Sequence, residues 1–439
     1  MQMKLVIFFQ TMLGNRSFRS LWSAQVVSQI AMNISTFVLA VRMFEVSHSN
    51  TAVGLLMLFS ALPAIPLAPL AGVYADRLDR KLLLLTTTTF RAFLFFLFSY
   101  VDHSVSSLIV FSFILSTVNL FFGPAEAATI PSIVSHEYLF AANSMYMFTM
   151  FSTVLTGYMI AGPLLGVLGN ENIFLLLGFL LLFASFFIGK MPSVGNGRQP
   201  ASELFATELS DIFRELLAGL KYLVEHRATT LLPVLQITLT QALLSMLLVI
   251  APGFAIDILH IDIKASSYLL IGPGGVGFVV SLIWMNLYAR HMSAARLIVG
   301  GILLAGATLL LLTFFHTLLF SMIFLFFLGL ASPLIAIPAQ TQLQRNLSEE
   351  FRGRVYGILI MSVSVAALLP VAITGFLADV FGIVEVVFFV SILTLLFGLY
   401  NFQHHNGFVR LVPFVENGVQ RLSAYVSRRF PMNGKDSDS

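Results

Sequence analysis

The chain alternates long apolar runs with short polar breaks. Twelve runs stand out, at about 18–41, 51–74, 82–100, 106–127, 139–168, 172–189, 231–256, 266–288, 296–315, 318–337, 353–380 and 384–402. A helix needs about 20 mainly apolar residues to cross a hydrocarbon core, so each run predicts one spanning helix, numbered here span 1 to span 12. A membrane β-barrel would instead show segments of about ten residues with alternating polarity, and the sequence has no such segments. The expected fold class is an all-α membrane protein with twelve transmembrane helices.

The breaks divide these spans into six plus six. The longest runs from Met191 to Thr229 and opens with PSVGNGRQP. Within it Phe205, Leu209, Ile212, Leu216, Leu220 and Leu223 recur at three- and four-residue steps, the spacing of an amphipathic helix. An internal echo supports the division. Pro124-Ala125 closes span 4 as Pro338-Ala339 closes span 10, and Ser135-His136-Glu137-Tyr138 precedes span 5 as Ser348-Glu349-Glu350-Phe351 precedes span 11. The expected organisation is a six-helix bundle over 1–190, a linker with an amphipathic helix over 191–229, a second six-helix bundle over 230–402 and a tail over 403–439. The tail carries a basic amphipathic pattern (Phe408, Leu411, Val415, Val419, Leu422, Val426 among Arg410, Arg421, Arg428 and Arg429) suited to an anionic membrane surface.

Composition agrees with a membrane chain. Hydrophobic residues make up 58% of it and charged ones 10%, against about 25% charged in soluble domains. Orientation follows from Lys and Arg, which stay on the cytoplasmic side during insertion. With the N-terminus inside, 22 of the 24 fall on inner segments, Arg91 counted among them, leaving Lys264 outside and Arg42 near the outer end of span 1. The expectation is a multi-pass protein of the plasma (inner) membrane with both termini cytoplasmic, and the residues before span 1 read as a cytoplasmic lead-in. The net charge of +3 reflects this sidedness and gives no case for nucleic-acid binding. With no cysteine, thiolate chemistry and Cys-ligated metals are excluded.

The densest charge lies between spans 2 and 3, in GVYADRLDRK, Gly72 to Lys81. Gly72 permits close helix approach, and Asp76 at a helix N-terminus would meet the positive end of its dipole. This stretch resembles the loop between helices 2 and 3 of the major facilitator superfamily, in which Gly72, Asp76, Arg77, Arg80 and Lys81 hold matching places and Asp79 replaces a glycine. The resemblance implies two pseudo-symmetric six-helix bundles (the major facilitator fold) and a gating role for Gly72, Asp76, Arg77 and Arg80, with Asp76 latching onto the start of span 11. The corresponding second-half loop, ARHMSAAR from Ala289 to Arg296, lacks a carboxylate and leaves Arg290 and Arg296 to meet Glu137 or Glu126. Span 5 carries GYMIAGPLLG, similar to the antiporter motif of superfamily drug exporters. It adds Gly157, Gly162, Pro163 and Gly166 as gating residues that let span 5 close against the glycines of span 8. The segment from Pro338 to Gly357 also resembles the macrolide, drug and siderophore exporter branch, of the drug:proton antiporter type.

Polar residues inside a bilayer usually face the protein interior. Gln25, Gln29 and Asn33 repeat every four residues in span 1, and its counterpart span 7 carries Gln236, Thr240 and Gln241. With Asn119 of span 4, these are the candidate substrate-binding residues, expected around one cavity shared by the two halves. Interhelical hydrogen bonding is the alternative role. Glu126 is the candidate proton-coupling group, with a structural carboxylate the competing role. The abundant Phe, Met and Leu around them suit an amphiphilic organic solute.

The expected function is therefore a secondary active transporter working by alternating access, exporting an amphiphilic small organic solute or drug, with proton antiport as the coupling. A lysolipid flippase or metabolite permease of the same fold is the alternative. An integral-membrane enzyme is disfavoured because the nine His are scattered and no hydrated loop holds paired carboxylates, so no catalytic residue is assigned. An ATP-driven pump is disfavoured because no Gly-x4-Gly-Lys-Ser/Thr occurs. No cofactor or metal is expected. The expected partners are a small-molecule substrate, membrane lipids and protons, and the expected state is a monomer.

Overall fold

A computed structural model describes residues 14–64, 66–67, 71, 74–75, 78–101, 104–135, 138–193, 231–288, 292–346 and 373–403. The helices are α1 (Arg16–Ser47), α2 (Asn50–Ala61), α3 (Arg80–Phe98), α4 (Val105–Ile133), α5 (Leu139–Gly189), α6 (Leu232–Gly253), α7 (Gly272–Tyr288), α8 (Ala294–Leu312), α9 (Leu318–Asn346) and α10 (Ile383–Gln403). A helical segment at 373–381 precedes α10. Among the described residues nine helices are long and apolar enough to cross a membrane. Several expected features lie outside the described residues: most of the linker, the tail beyond 403, span 11 before 373, and Gly72, Asp76, Arg77, Glu137 and Arg290.

Local sequence explains the helix ends. Asn15, Ser49, Asp79, Ser104 and Ser293 each cap a helix by accepting a hydrogen bond from a first-turn backbone N–H. Asp79 thus has a clear reason to stand where the superfamily loop has glycine. Its φ of −59° is ordinary, and its carboxylate accepts from the Leu82 N–H at 3.1 Å and from the Ser193 hydroxyl. Slight burial pushes its pKa up, but these bonds and Lys81 outweigh that and hold it below the usual carboxylate range. Spans 5 and 6 form the two limbs of α5, divided at Gly169, whose φ of +74° only glycine adopts readily. The expected gap between 168 and 172 falls there.

Side-chain contacts fix which ends lie together. Asn15 Nδ2 donates to the Ile133 carbonyl at 2.8 Å, so the start of α1 meets the end of α4. Gln236 near the start of α6 donates to Asn401 near the end of α10 at 3.4 Å. The end of α6 meets the start of α2 through Gly253 and Asn50. Residues 14 and 403 therefore lie at one end of the bundle, the near end; α2 begins at the far end.

Packing is knit by rings in the first half. Phe95, Phe98, Phe111 and Phe174 join α3, α4 and the second limb of α5, with Phe98 and Phe111 stacked at 3.9 Å between centroids. Pairs of this kind contribute about 0.5–1.5 kcal/mol beyond buried area. Other rings, such as Phe179, Phe183 and Phe389, point outward and are exposed, as a lipid-facing surface requires.

Candidate functional site

The first half encloses a cavity of about 110 Å³ lined by Ser28, Gln29, Met32, Arg91, Asn119, Phe122, Gly123, Glu126 and Tyr146. Helical spacing builds it. Asn119, Phe122 and Glu126 recur at three- and four-residue steps along α4 and so share a face, as do Ser28 and Met32 on α1.

Two buried charges dominate it. Arg91 is 1% exposed, and its guanidinium donates to Asn119 Oδ1 at 2.6 Å and to Thr88 Oγ1 at 3.0 Å. The guanidinium carbon lies 4.5 Å from the centroid of the Phe122 ring, a favourable cation–π position. Glu126 is equally buried, and neither carboxylate oxygen has a hydrogen-bond partner within bonding geometry. Arg91 acts on it through its charge, and the Tyr146 hydroxyl is the neighbouring donor. No direct ion pair joins Arg91 to Glu126; among the described residues the one such pair is Arg42–Glu45, at 2.7 Å. Burying two charges costs several kcal/mol per ion, recovered only by close pairing and hydrogen bonds. Here the cation is largely satisfied and the anion is not.

This arrangement corrects two expectations. Arg91 is not an anchor at the inner face; it sits inside the bundle, midway along α3. The basic group facing Glu126 is Arg91 of the same half, where the sequence suggested Arg290 or Arg296. A lone arginine within an apolar helix is itself a signal of a functional interior, and it was readable in the sequence. Tyr146 carried no comparable signal in a chain with 13% aromatics.

The other candidate residues divide by role. Gln29 and Asn119 line the cavity. Gln25 is buried and donates to the Tyr146 carbonyl at 3.2 Å, bracing α1 against α5. Asn33 faces Gly157, where an added Cβ would come within 2.6 Å of the Asn33 Cβ. In the second half Gln236 bonds Asn401, Thr240 donates to the Gln236 carbonyl at 3.0 Å, and Gln241 is exposed. The two stripes do not converge on this cavity. Arg80 braces its own half, donating to the Ala75 and Ala128 carbonyls and to Ser132 Oγ.

Among the described residues, close contacts between the halves lie in the far half of the bundle. A Cβ at Gly162 would strike the Lys264 carbonyl and the Ser267 hydroxyl, and the Gly162 N–H donates to that hydroxyl at 3.2 Å. Gly275 of α7 lies against Leu155 of α5. Pro163 is exposed, and Gly166 has open space around it. At the far tip, Asp379 receives the backbone N–H and side-chain amide of Asn50, both at 2.9 Å, the Thr51 N–H at 2.8 Å and the Ser49 hydroxyl at 2.6 Å.

The family model described as Major Facilitator Superfamily matches residues 21–345 and again 234–405. The chain belongs to the major facilitator superfamily. It is 24% identical over 367 residues to an uncharacterized MFS-type transporter, YfiS, of Bacillus subtilis (strain 168), covering 79% of this chain and 82% of that protein. The nucleoside transporter NupG has the same fold, with a TM-score of 0.67 and 12% identity over 89% of this chain and 99% of that one. So does a bacterial homolog of the human lysosomal transporter Spinster, solved inward-facing and occupied, with a TM-score of 0.67 and 13% identity over 88% and 95%. The protein is thus a membrane transporter of the superfamily fold, all-α, and its second half matches the family model by itself.

Proposed function

We infer that this transporter works by alternating access and exports an amphiphilic small organic solute in exchange for protons, with the Arg91–Glu126 cavity as its polar recognition point. One observation carries the reading: a fully buried carboxylate, open to a cavity, with no well-formed hydrogen bond on either oxygen and only the Tyr146 hydroxyl beside it as a neutral donor. Such a group gains a partner either by taking up a proton or by receiving a donor from a ligand. Competition between those two events is what couples solute movement to proton movement. Gln29, Asn119 and Tyr146 supply the neutral polar contacts, and Met32 and Phe122 the apolar wall.

The contacts among the described residues at the far end support a state closed at that end. The described Arg16, Arg19, Arg80, Lys81, Lys190 and Arg296 stand at helix ends on the near side, which supports reading that side as cytoplasmic. GVYADRLDRK, with Gly72, Asp76, Arg77 and Arg80, then serves the opposite gate. The remaining stripe residues Gln25, Asn33, Gln236, Thr240 and Gln241 hold the helices in register around the path.

The test reconstitutes the full chain in vesicles and measures transport of a macrolide, a siderophore and a lysophospholipid, with and without an imposed pH gradient. For whichever probe is carried, Glu126→Gln is expected to abolish the response to the gradient while leaving probe-for-probe exchange. Undiminished gradient-driven transport by Glu126→Gln would overturn the coupling role. Transport of the lysophospholipid alone would replace drug export with flippase activity.

A further inference from the structure

The carboxylate of Asp379 crosses from one half of the molecule to the other and takes four donors from the first turn of α2. Its Oδ1 accepts the Asn50 N–H and the Asn50 side-chain amide, and its Oδ2 accepts the Ser49 hydroxyl and the Thr51 N–H. Ser49 is already the N-cap residue of α2 and accepts from the Ala52 N–H at 3.2 Å. Asp379 therefore acts as a second cap brought in from about 330 residues away in sequence, on helix-end donors that otherwise lack partners. The backbone around it is shaped to the contact. A Cβ at Gly375 would strike the Asn50 carbonyl, and one at Gly253 would come within 2.6 Å of Asn50 Oδ1. Asn50 itself is 5% exposed and wedged between these two glycines.

Ser49 satisfies the Ala52 N–H from within the same half, and Asp379 takes the Asn50 and Thr51 N–H groups from the other. What Asp379 adds is a bond between the halves at the far end. The sequence carries an echo as well: GFLAD, Gly375 to Asp379, shares its Gly, Ala and Asp with GVYAD, Gly72 to Asp76, at the end of a different span.

We propose that Asp379, Asn50 and Gly375 form the far-end gate clasp of the transport cycle, in which the Asp379 carboxylate holds the N-terminus of α2 whenever the transporter is closed at that end. The three are positioning residues that act on the conformational equilibrium without touching solute. The proposal rests on the alternating-access reading.

The chain has no cysteine, so introduced pairs label cleanly. Val46→Cys and Phe381→Cys, both exposed and outside the clasp, carry spin labels across the far end of the full-length protein in vesicles. Wild type should show a dominant short distance and a minor long one. Asp379→Ala should raise the long-to-short ratio at least fivefold, and Ser49→Ala, which removes one of the four donors to Asp379 together with the Ala52 cap, should move it less and in the same direction. Asp379→Ala should also lower maximal transport without altering the solute's KM by more than twofold, because the cavity is untouched. An unchanged distance distribution in both variants overturns the clasp, even if thermal stability falls, since a purely structural contact would change stability alone. If Asp379→Ala fails to insert, Ser49→Ala and Asn50→Ala decide the same question. A wild type that shows one distance under every condition would instead count against alternating access itself.

Discussion

Arg91 and Lys are not equivalent choices inside α3. The guanidinium forks between Asn119 and Thr88 while lying against Phe122, and a lysine ammonium offers a single point charge with no planar face. Arg91→Lys should therefore keep the charge and lose the geometry. Transport is expected to fall about tenfold, equivalent to about 1.4 kcal/mol in the rate-limiting barrier, with membrane insertion unchanged by protease-protection mapping. Retention of the full rate would mean that Arg91 acts only as a charge. Legibility at this scale was uneven. Glu126, Gln29 and Asn119 showed as polar letters in apolar runs. Tyr146 did not, because its ring suits any interior, and its role comes from facing α4 across the bundle.

Helix pairs carry the next level of argument, and the span 5 motif sorts cleanly there. Gly162 sits where α5 meets the approach to α7 so closely that a side chain has no room, whereas Gly166, one turn further, faces open space. Gly162→Val should hold the far end apart and reduce transport at least tenfold. Gly166→Val should stay within about twofold, as substitutions away from packed features change free energy by about 0.5 kcal/mol or less. Circular dichroism of both variants should match wild type. Equal loss in the two would show that the motif acts through helix flexibility and not through contact. The spans themselves were readable because a helix in lipid must be apolar over a fixed length. Their partners were not, because contact between α2 and the segment at 373–381 leaves no periodic trace in one sequence. Asp379 stands in the sequence as a charge near a span end with nothing to point to its partner.

At the scale of the whole molecule the far-end clasp has a defined pH range. Asp379 is its one ionisable member, because Ser49, Asn50 and Thr51 do not titrate in this range, and aspartate carboxylates ordinarily titrate at about 3.9. Between pH 5 and pH 8 the far-end distance distribution should therefore be flat wherever Asp379 alone sets it. Any pH response in that window should disappear in Glu126→Gln and persist in Asp379→Ala. The reverse pattern would assign the sensor to the clasp.

The separation of Arg91 and Glu126 within one half also has an electrical consequence. With both groups ionised, the pair carries no net charge, so its movement, as an empty carrier rocks between two states, transfers almost nothing through the membrane field. A proton on Glu126 leaves Arg91 uncompensated, and each full charge moved is worth about 2.3 kcal/mol per 100 mV. Membrane voltage would then drive the proton-bearing return step and leave the deprotonated one indifferent, so the energised membrane supplies a direction that the cavity by itself does not have.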